Sequence, residues 1–288
     1  MKIDNAWLHR FAILVAFCAV ITIVVGAVIT SLERPIAATP GAQTLAAAAT
    51  FEFWHLIAGS VVAVLMLGLA VGLAAAKADK LVVQVAWAGL AVGVLDGLLG
   101  AKAVTQAVPE LSGVLHALLA QIFLGSIIAV ATMTAESWRR GPDPVVDTWR
   151  PSMRSLAVAV PAVILLQITL GASYRYRALG VIWHIMNAMI VLLLVLCVAV
   201  FLVRQLPDHP TLKPAAVALG VITAIQVMLG FTTFMMLILF PESSLAVVIT
   251  SVLHVTTGAL TLGAGVTLAM LIRHNVVAPA LATPASVV

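Results

Sequence analysis

Eight long apolar runs constrain this chain more than any other feature of its sequence. They fall near residues 11–31, 51–76, 81–101, 112–135, 155–173, 179–203, 214–239 and 246–272. Most are about 20 residues or longer, which is the length a helix needs to cross the hydrocarbon core of a bilayer. Their apolar residues do not alternate with polar ones, as the strands of a membrane β-barrel require. The sequence therefore predicts an all-α membrane protein with eight transmembrane helices.

The composition agrees with lipid as the solvent of this chain. Hydrophobic residues make up 63% of the sequence and charged residues only 9%, whereas an ordinary soluble domain is about 25% charged. The basic excess does not indicate a nucleic-acid partner, because most of the Lys and Arg residues flank the apolar runs. We therefore expect the chain to interact with the lipid bilayer.

The distribution of basic residues predicts the orientation of the helices. If the N-terminus lies inside, only four of the 15 basic residues fall in outer segments: Arg34, Lys102, Arg175 and Arg177. Cytoplasmic segments carry an excess of Lys and Arg in membrane proteins. We therefore expect both termini to be cytoplasmic.

A polar, Pro-rich segment at 136–153 divides the helices into two sets of four. We predict an N-terminal half at 1–135, this cytoplasmic linker, a C-terminal half at 154–273 and a mobile tail at 274–288. The halves resemble each other: Pro109-Glu110 precedes the fourth run and Pro241-Glu242 precedes the eighth. Four helices per half keep the same orientation, so we expect two four-helix bundles related by a pseudo-twofold axis along the membrane normal.

Glycines recur where the odd-numbered helices are expected to end on the outside. They occur in Val25-Gly26-Ala27, Leu99-Gly100-Ala101, Leu170-Gly171-Ala172 and Leu229-Gly230-Phe231. This recurrence also supports a duplicated architecture.

Four histidines occupy equivalent places, one on each even-numbered helix. They are His55, His116, His184 and His254. Each is expected within roughly one to two turns of the outer helix end, so they share a layer near the outer surface. The other three, His9, His209 and His274, fall in inner polar segments, where we expect them to be solvated.

Ionisable groups at bilayer depth are costly and are functional candidates. Two histidines on facing helices can hold haem iron from both sides, and helix bundles build such sites in their cores. The repeat predicts one pair, and hence one porphyrin site, in each half. Two alternatives stay open: hydrogen-bonded packing residues, and a zinc or copper site, for which no thiolate or methionine spacing is found.

Glu52 lies three residues before His55 and shares its helix face. The residue at the equivalent place before His184 is Val181, so the two halves differ chemically. A buried carboxyl can move protons, and we predict this role for Glu52. The alternative is an interfacial residue whose carboxylate reaches water.

Other polar residues have less specific predictions. Arg175 and Arg177, just before the sixth helix, could pair with haem propionates or anchor the helix at the interface. Arg34 and Lys102 could play the matching part in the first half. Asp96 could serve a proton path or bond to a neighbouring helix. We expect four amides to be interhelical hydrogen-bond partners: Gln121, Gln167, Asn187 and Gln226.

Taken together, these features resemble the haem A synthases, a family that acts in cytochrome oxidase assembly. The resemblance covers about 10–273, and its clearest motif is Glu52-Phe53-Trp54-His55-Leu56-Ile57-Ala58-Gly59. It implies oxidation of a porphyrin methyl group of haem O to the formyl group of haem A, through successive hydroxylations. It also implies a bacterial plasma membrane location, haem sites toward the outer face, and haem O synthase, a terminal oxidase, a quinone or a second copy of the chain as partners.

The same resemblance implies roles for individual residues. His184 and His254 would ligate the iron of a haem b cofactor, with Arg175 and Arg177 nearby. His55 and His116 would face the substrate haem, with Glu52 as the catalytic carboxylate. The first outer loop departs from the family, because it lacks the cysteine pair found in many members and with it a thiol route for electrons.

Two other functions remain open at this stage. A di-haem electron-transfer cytochrome would hold two haems without changing them. A haem transporter or oxidase assembly factor would use the repeat for alternating access, although the helices lack obvious Gly or Pro breaks at mid-depth.

Overall fold

The computed structural model describes residues 6–33, 42–101, 107–241 and 244–279. This part of the chain is 85% helical, and eight of its helices are long and apolar enough to cross a membrane. They are α1 Ala6–Glu33, α2 Ala42–Ala75, α3 Lys80–Leu99, α4 Pro109–Thr134, α5 Met153–Arg175, α6 Val181–Gln205, α7 Leu212–Leu239 and α8 Leu245–Asn275. The predicted all-α membrane fold is confirmed.

Helix α2 begins earlier than the sequence predicts. The apolar run begins at 51, but residues 42–50 continue the helix upstream of it. The reason is the alanine-rich segment at 46–49, because alanine has the highest helix propensity. His55 consequently lies about three and a half turns into α2, and His254 about two and a half turns into α8, so the predicted depth of one to two turns is wrong for both.

The buried apolar side chains form two clusters. One draws on α1 to α4 and includes Leu8, Met66 and Ile127, with Ala259 of α8 at its edge. The other draws on α5 to α8 and includes Ile164 and Leu219. Large side chains on the outer faces, such as Phe17 and Leu193, are exposed, as expected of helices whose solvent is lipid.

Each half repeats the same pattern of helix neighbours. In the first half α1 packs on α2 and α4, and α3 packs on the same two helices; α5 to α8 repeat these contacts in the second half. Between the halves α4 contacts α8, while α1 contacts α8 and α4 contacts α5. The two halves therefore meet along α4 and α8.

The linker is fastened to the end of α8. After a one-turn helix, Glu136–Arg139, strand β1 (Val145–Val146) pairs in parallel with β2 (Val276–Val277). The backbone N–H of Asp143 donates to Oδ1 of Asn275 at 2.8 Å. The predicted mobile tail therefore does not begin at 274, because residues 274–277 are held by the linker.

The three inner histidines are packed, which corrects the expectation that they are solvated. His9 Nδ1 lies 3.0 Å from the carbonyl oxygen of Ala131, and the ring of His274 stacks on Trp138 at 4.0 Å. His209 is buried, with Nε2 3.2 Å from the carbonyl oxygen of Asp143. Residues distant in sequence supply each contact.

Several sequence features lie outside the described residues: Arg34, Lys102, Glu242 and the chain from 280 to 288.

Candidate functional site

The structure brings the four predicted histidines together as two pairs. The ring centroids of His55 on α2 and His116 on α4 are 6.0 Å apart, with an interplanar angle of 80°. Those of His184 on α6 and His254 on α8 are 6.1 Å apart, at 83°. All four rings are half-buried. Each half thus holds one pair, and the two pairs have nearly the same geometry.

Each histidine ring rests on a glycine of the helix before its own. A Cβ atom built on Gly26 would lie 3.1 Å from Cε1 of His55, and one on Gly171 would lie 2.9 Å from Cε1 of His184. Gly100 and Gly230 stand in the same relation to His116 and His254. These are the four glycines that recur in the sequence, but three lie inside their helices and only Gly100 caps one.

Nδ1 of each ring faces the backbone carbonyl of the residue four positions before the glycine beneath that ring. His55 Nδ1 lies 3.1 Å from the oxygen of Thr22, and His116 and His184 make the same 3.1 Å contact with Asp96 and Gln167. The backbone of Gln226 takes this place beside His254, but within the described residues no bond of normal geometry reaches Nδ1. A ring that donates from Nδ1 keeps its lone pair on Nε2, as a metal ligand does.

The first half adds a carboxylate to its pair. Oδ1 of Asp96 lies 2.8 Å from Nδ1 of His116. Asp96 is buried, and this contact joins α3 to α4, but among the described residues no hydrogen bond of normal geometry reaches Oδ1.

The second half has amides in place of that carboxylate. The side-chain nitrogen of Gln167 lies 3.1 Å from Nδ1 and 3.2 Å from Nε2 of His184. Nδ2 of Asn187 donates to Oε1 of Gln167 at 2.9 Å. Gln167 and Asn187 are interhelical partners as expected, whereas Oε1 of Gln121 and of Gln226 has no partner among the described residues.

Glu52 lies on α2 one turn before His55 and is half-buried. Glu52 and His55 are three residues apart, so their side chains lie on the same face of α2. Val181 occupies the equivalent point of α6, so this carboxylate is present in the first half alone.

Arg175 joins the two halves. Its Nη2 donates to the carbonyl oxygen of Thr30 on α1 at 2.7 Å. Arg177 is exposed and has a positive φ of 63°. The intervening Tyr176 ring packs closely over Gly113, one turn before His116. The segment that was predicted to bind haem b thus also contacts the first half.

The described residues contain no cluster of three or more His, Cys, Asp or Glu side chains arranged to hold a metal ion. Across these same residues, what the fold assembles is two separate histidine pairs. Such a pair of imidazoles would suit an iron that is also held by a porphyrin.

A polar residue four positions before each recurrent glycine is a further signal in the sequence. These residues are Thr22, Asp96, Gln167 and Gln226. One helical turn separates the members of each such pair, so the polar residue and the glycine form one surface under the ring. The repeat therefore associates Asp96 with His116 by its spacing alone, a link that the predictions above did not make.

Comparison with models of known protein families finds no match for this chain, and comparison with curated proteins finds none either.

Proposed function

We propose that this chain is an integral membrane oxidoreductase of the haem A synthase type. It would oxidise the methyl group of haem O to the formyl group of haem A, formally R–CH3 + H2O → R–CHO + 4 H+ + 4 e−, with haem b passing the electrons to an external acceptor such as a quinone. The observation that carries this proposal is the presence of two histidine pairs of matching geometry, only one of which has carboxylates beside it. The resemblance in the sequence supplies the identity of the reaction.

The dimensions of the pairs fit a haem iron. Two nitrogen–metal bonds of about 2 Å, plus about 1 Å from each nitrogen to its ring centre, give a centroid separation of about 6 Å. Both pairs have this separation. Edge-to-face ring packing falls in the same range, so a spectroscopic measurement must decide between ligation and packing.

In the second half, His184 and His254 would hold the resident haem b. When bound, haem b supplies one-electron transfer. The carbonyl of Gln167 orients His184 through Nδ1, and the amides of Gln167 and Asn187 keep the surroundings polar without adding charge. Arg175 and Arg177 would meet the propionates, which Arg binds with two parallel hydrogen bonds.

In the first half, His55 and His116 would face the substrate haem O. Thr22 and Asp96 orient the two rings through their backbone carbonyls. Glu52, one turn from His55, would take or deliver the protons that accompany oxidation of the methyl group. No equivalent carboxylate precedes His184, which supports assigning the chemistry to the first half.

The wider setting is part of the same proposal. The matching helix neighbours in the two halves support a pseudo-twofold axis along the membrane normal. With both termini cytoplasmic, the histidine pairs would lie toward the outer face of a bacterial plasma membrane. Haem O synthase, a terminal oxidase or a quinone would be the partners that deliver haem or exchange electrons, since the first outer loop has no cysteine for this purpose.

A second candidate is a di-haem electron-transfer cytochrome. The near-identity of the two pairs, 6.0 Å with 80° and 6.1 Å with 83°, favours it, because both pairs could then hold a resident haem in the same way. It predicts two tightly held haems and no change in the porphyrin.

The first test is haem content by visible spectroscopy and pyridine haemochrome assay on the purified full chain. The His184→Ala and His254→Ala variants should lose the resident haem b, whereas His55→Ala should keep it. The control is His9→Gln, which removes a histidine outside the pairs. If His184→Ala and the wild type have the same spectrum, the proposed ligand role is wrong.

A further inference from the structure

Asp96 is a buried carboxylate that touches only one of the four histidines. Its Oδ1 lies 2.8 Å from Nδ1 of His116, and the side chains of His116 and Asp96 are 27% and 12% exposed. Its own backbone carbonyl meets the same nitrogen at 3.1 Å. His116 Nδ1 therefore hydrogen-bonds to the backbone oxygen of Asp96 and also has the carboxylate of the same residue in close contact, although no hydrogen bond of normal geometry reaches Oδ1 within the described residues.

The other three histidines have neutral residues at this position. Thr22 stands there for His55, Gln167 for His184 and Gln226 for His254, each four residues before the glycine under the ring. The fold is otherwise repeated closely around the four rings. The carboxylate of Asp96 therefore distinguishes the His116 site from the other three, and the repeated architecture does not require it.

We propose that Asp96 is a positioning residue that makes His116 the strongest electron donor among the four histidines. The backbone carbonyl of Asp96 fixes the ring through Nδ1, and a carboxylate in contact with the same nitrogen of a ligating histidine raises the basicity of its other nitrogen. Hydrogen bonds and charge around an axial ligand set the reduction potential of haem iron. A haem in the first half would accordingly have the lower reduction potential of the two.

This inference rests on the proposed function, because it needs a haem between His55 and His116. It adds to that function a difference in reduction potential between the two haems. The haem site with the electron-rich ligand is also the site with Glu52, and the site with neutral amides is the relay. A purely structural Asp96 would join α3 to α4 and leave the potentials unaffected.

The test is a redox titration of the full chain in detergent, loaded with haemin at both sites and followed by visible absorption. The wild type should give two components. Asp96→Asn should raise the lower potential and leave the higher one unchanged. The matched change in the other half, Gln167→Glu, should lower the higher potential only.

The outcomes separate the two proposals. If Asp96→Asn binds two haems and both potentials stay unchanged, the role of Asp96 proposed here is wrong. If Asp96→Asn does not load the first site, Asp96→Glu should restore both the haem and its low potential, and failure of this rescue overturns the inference. A wild type that takes up no haemin overturns the proposed function itself.

Discussion

Gly100 lies directly against the ring of His116. A methyl group on its α-carbon would come within 2.8 Å of Cε1 and 3.0 Å of Nδ1, well below the separation of about 3.5–4.0 Å at which carbon atoms attract. Gly26, Gly171 and Gly230 have the same relation to His55, His184 and His254. Four glycines therefore set how closely four histidine rings approach the neighbouring helix.

Gly100→Ala should displace the His116 ring and weaken haem binding in the first half. The added methyl group meets the ring at a distance that forces one of them to move. Gly97→Ala is the matched control, because it lies one turn earlier on the same helix and a Cβ there meets nothing within 4 Å. Haemin titration of the two variants checks this, and equal affinities would show that the close contact is unimportant.

Glu52→Gln should abolish conversion of haem O while the second-half haem stays bound. The amide keeps the shape of the side chain but cannot take up a proton. Glu110→Gln serves as the control, because Glu110 is an exposed carboxylate in the first turn of α4. Pigment extraction and chromatography give the result, and full activity in Glu52→Gln would remove Glu52 from the mechanism.

Arg175→Ala should lower the thermal stability of the protein. It removes a hydrogen bond of 2.7 Å from a charged donor on α5 to the carbonyl of Thr30 on α1, and such bonds contribute about 2 kcal/mol. Arg204→Ala should change the unfolding temperature less, because Arg204 is exposed near the end of α6. Thermal unfolding in detergent compares them. Equal decreases in unfolding temperature would mean that the hydrogen bond between the halves does not stabilise the protein.

Asp147 should make the stability of the linker depend on pH. Burial raises the pKa of this carboxyl, but hydrogen bonds from Ser152 Oγ at 2.7 Å and from backbone N–H groups, including that of Arg154, outweigh burial and lower the pKa below its ordinary 3.8. The ionised carboxylate therefore stabilises the fold fully above about pH 4. This contribution disappears as the pH falls through the lower pKa of the folded state.

Asp147→Asn should accordingly be less stable than the wild type at pH 7, by about 2 kcal/mol. The difference should shrink below the ordinary pKa of the carboxyl. Asp143→Asn is the control, since the side chain of Asp143 is exposed. Unfolding curves at several pH values measure both variants. A difference that stays constant down to pH 2 would contradict this account of Asp147.

The sequence alone predicted the eight helices and the grouping of the histidines into pairs. The helices follow from the length of the apolar runs, because backbone N–H and C=O groups in lipid must hydrogen-bond to each other. The pairing of His55 with His116 and of His184 with His254 followed from the repeat. Both predictions depend on patterns that recur along the chain.

The remaining features depend on signals other than the hydropathy of the apolar runs. Helix α2 continues to Ala42 because alanine propensity acts where hydropathy gives no signal. The inner His9 and His209 are packed because Ala131 and Asp143, far away in sequence, supply their partners. The contact between Asp96 and His116 needs two helices in register, although the repeated polar residue before each glycine points to it.

The most direct measurement of the central claim is co-expression of the chain with a source of haem O, followed by extraction and chromatography of the haems. We predict that haem A appears with the wild type and is lost in both His55→Ala and Glu52→Gln, while His9→Gln still produces it. Unchanged haem O in cells that contain folded, haem-loaded wild-type protein would contradict the synthase function and favour the di-haem electron carrier.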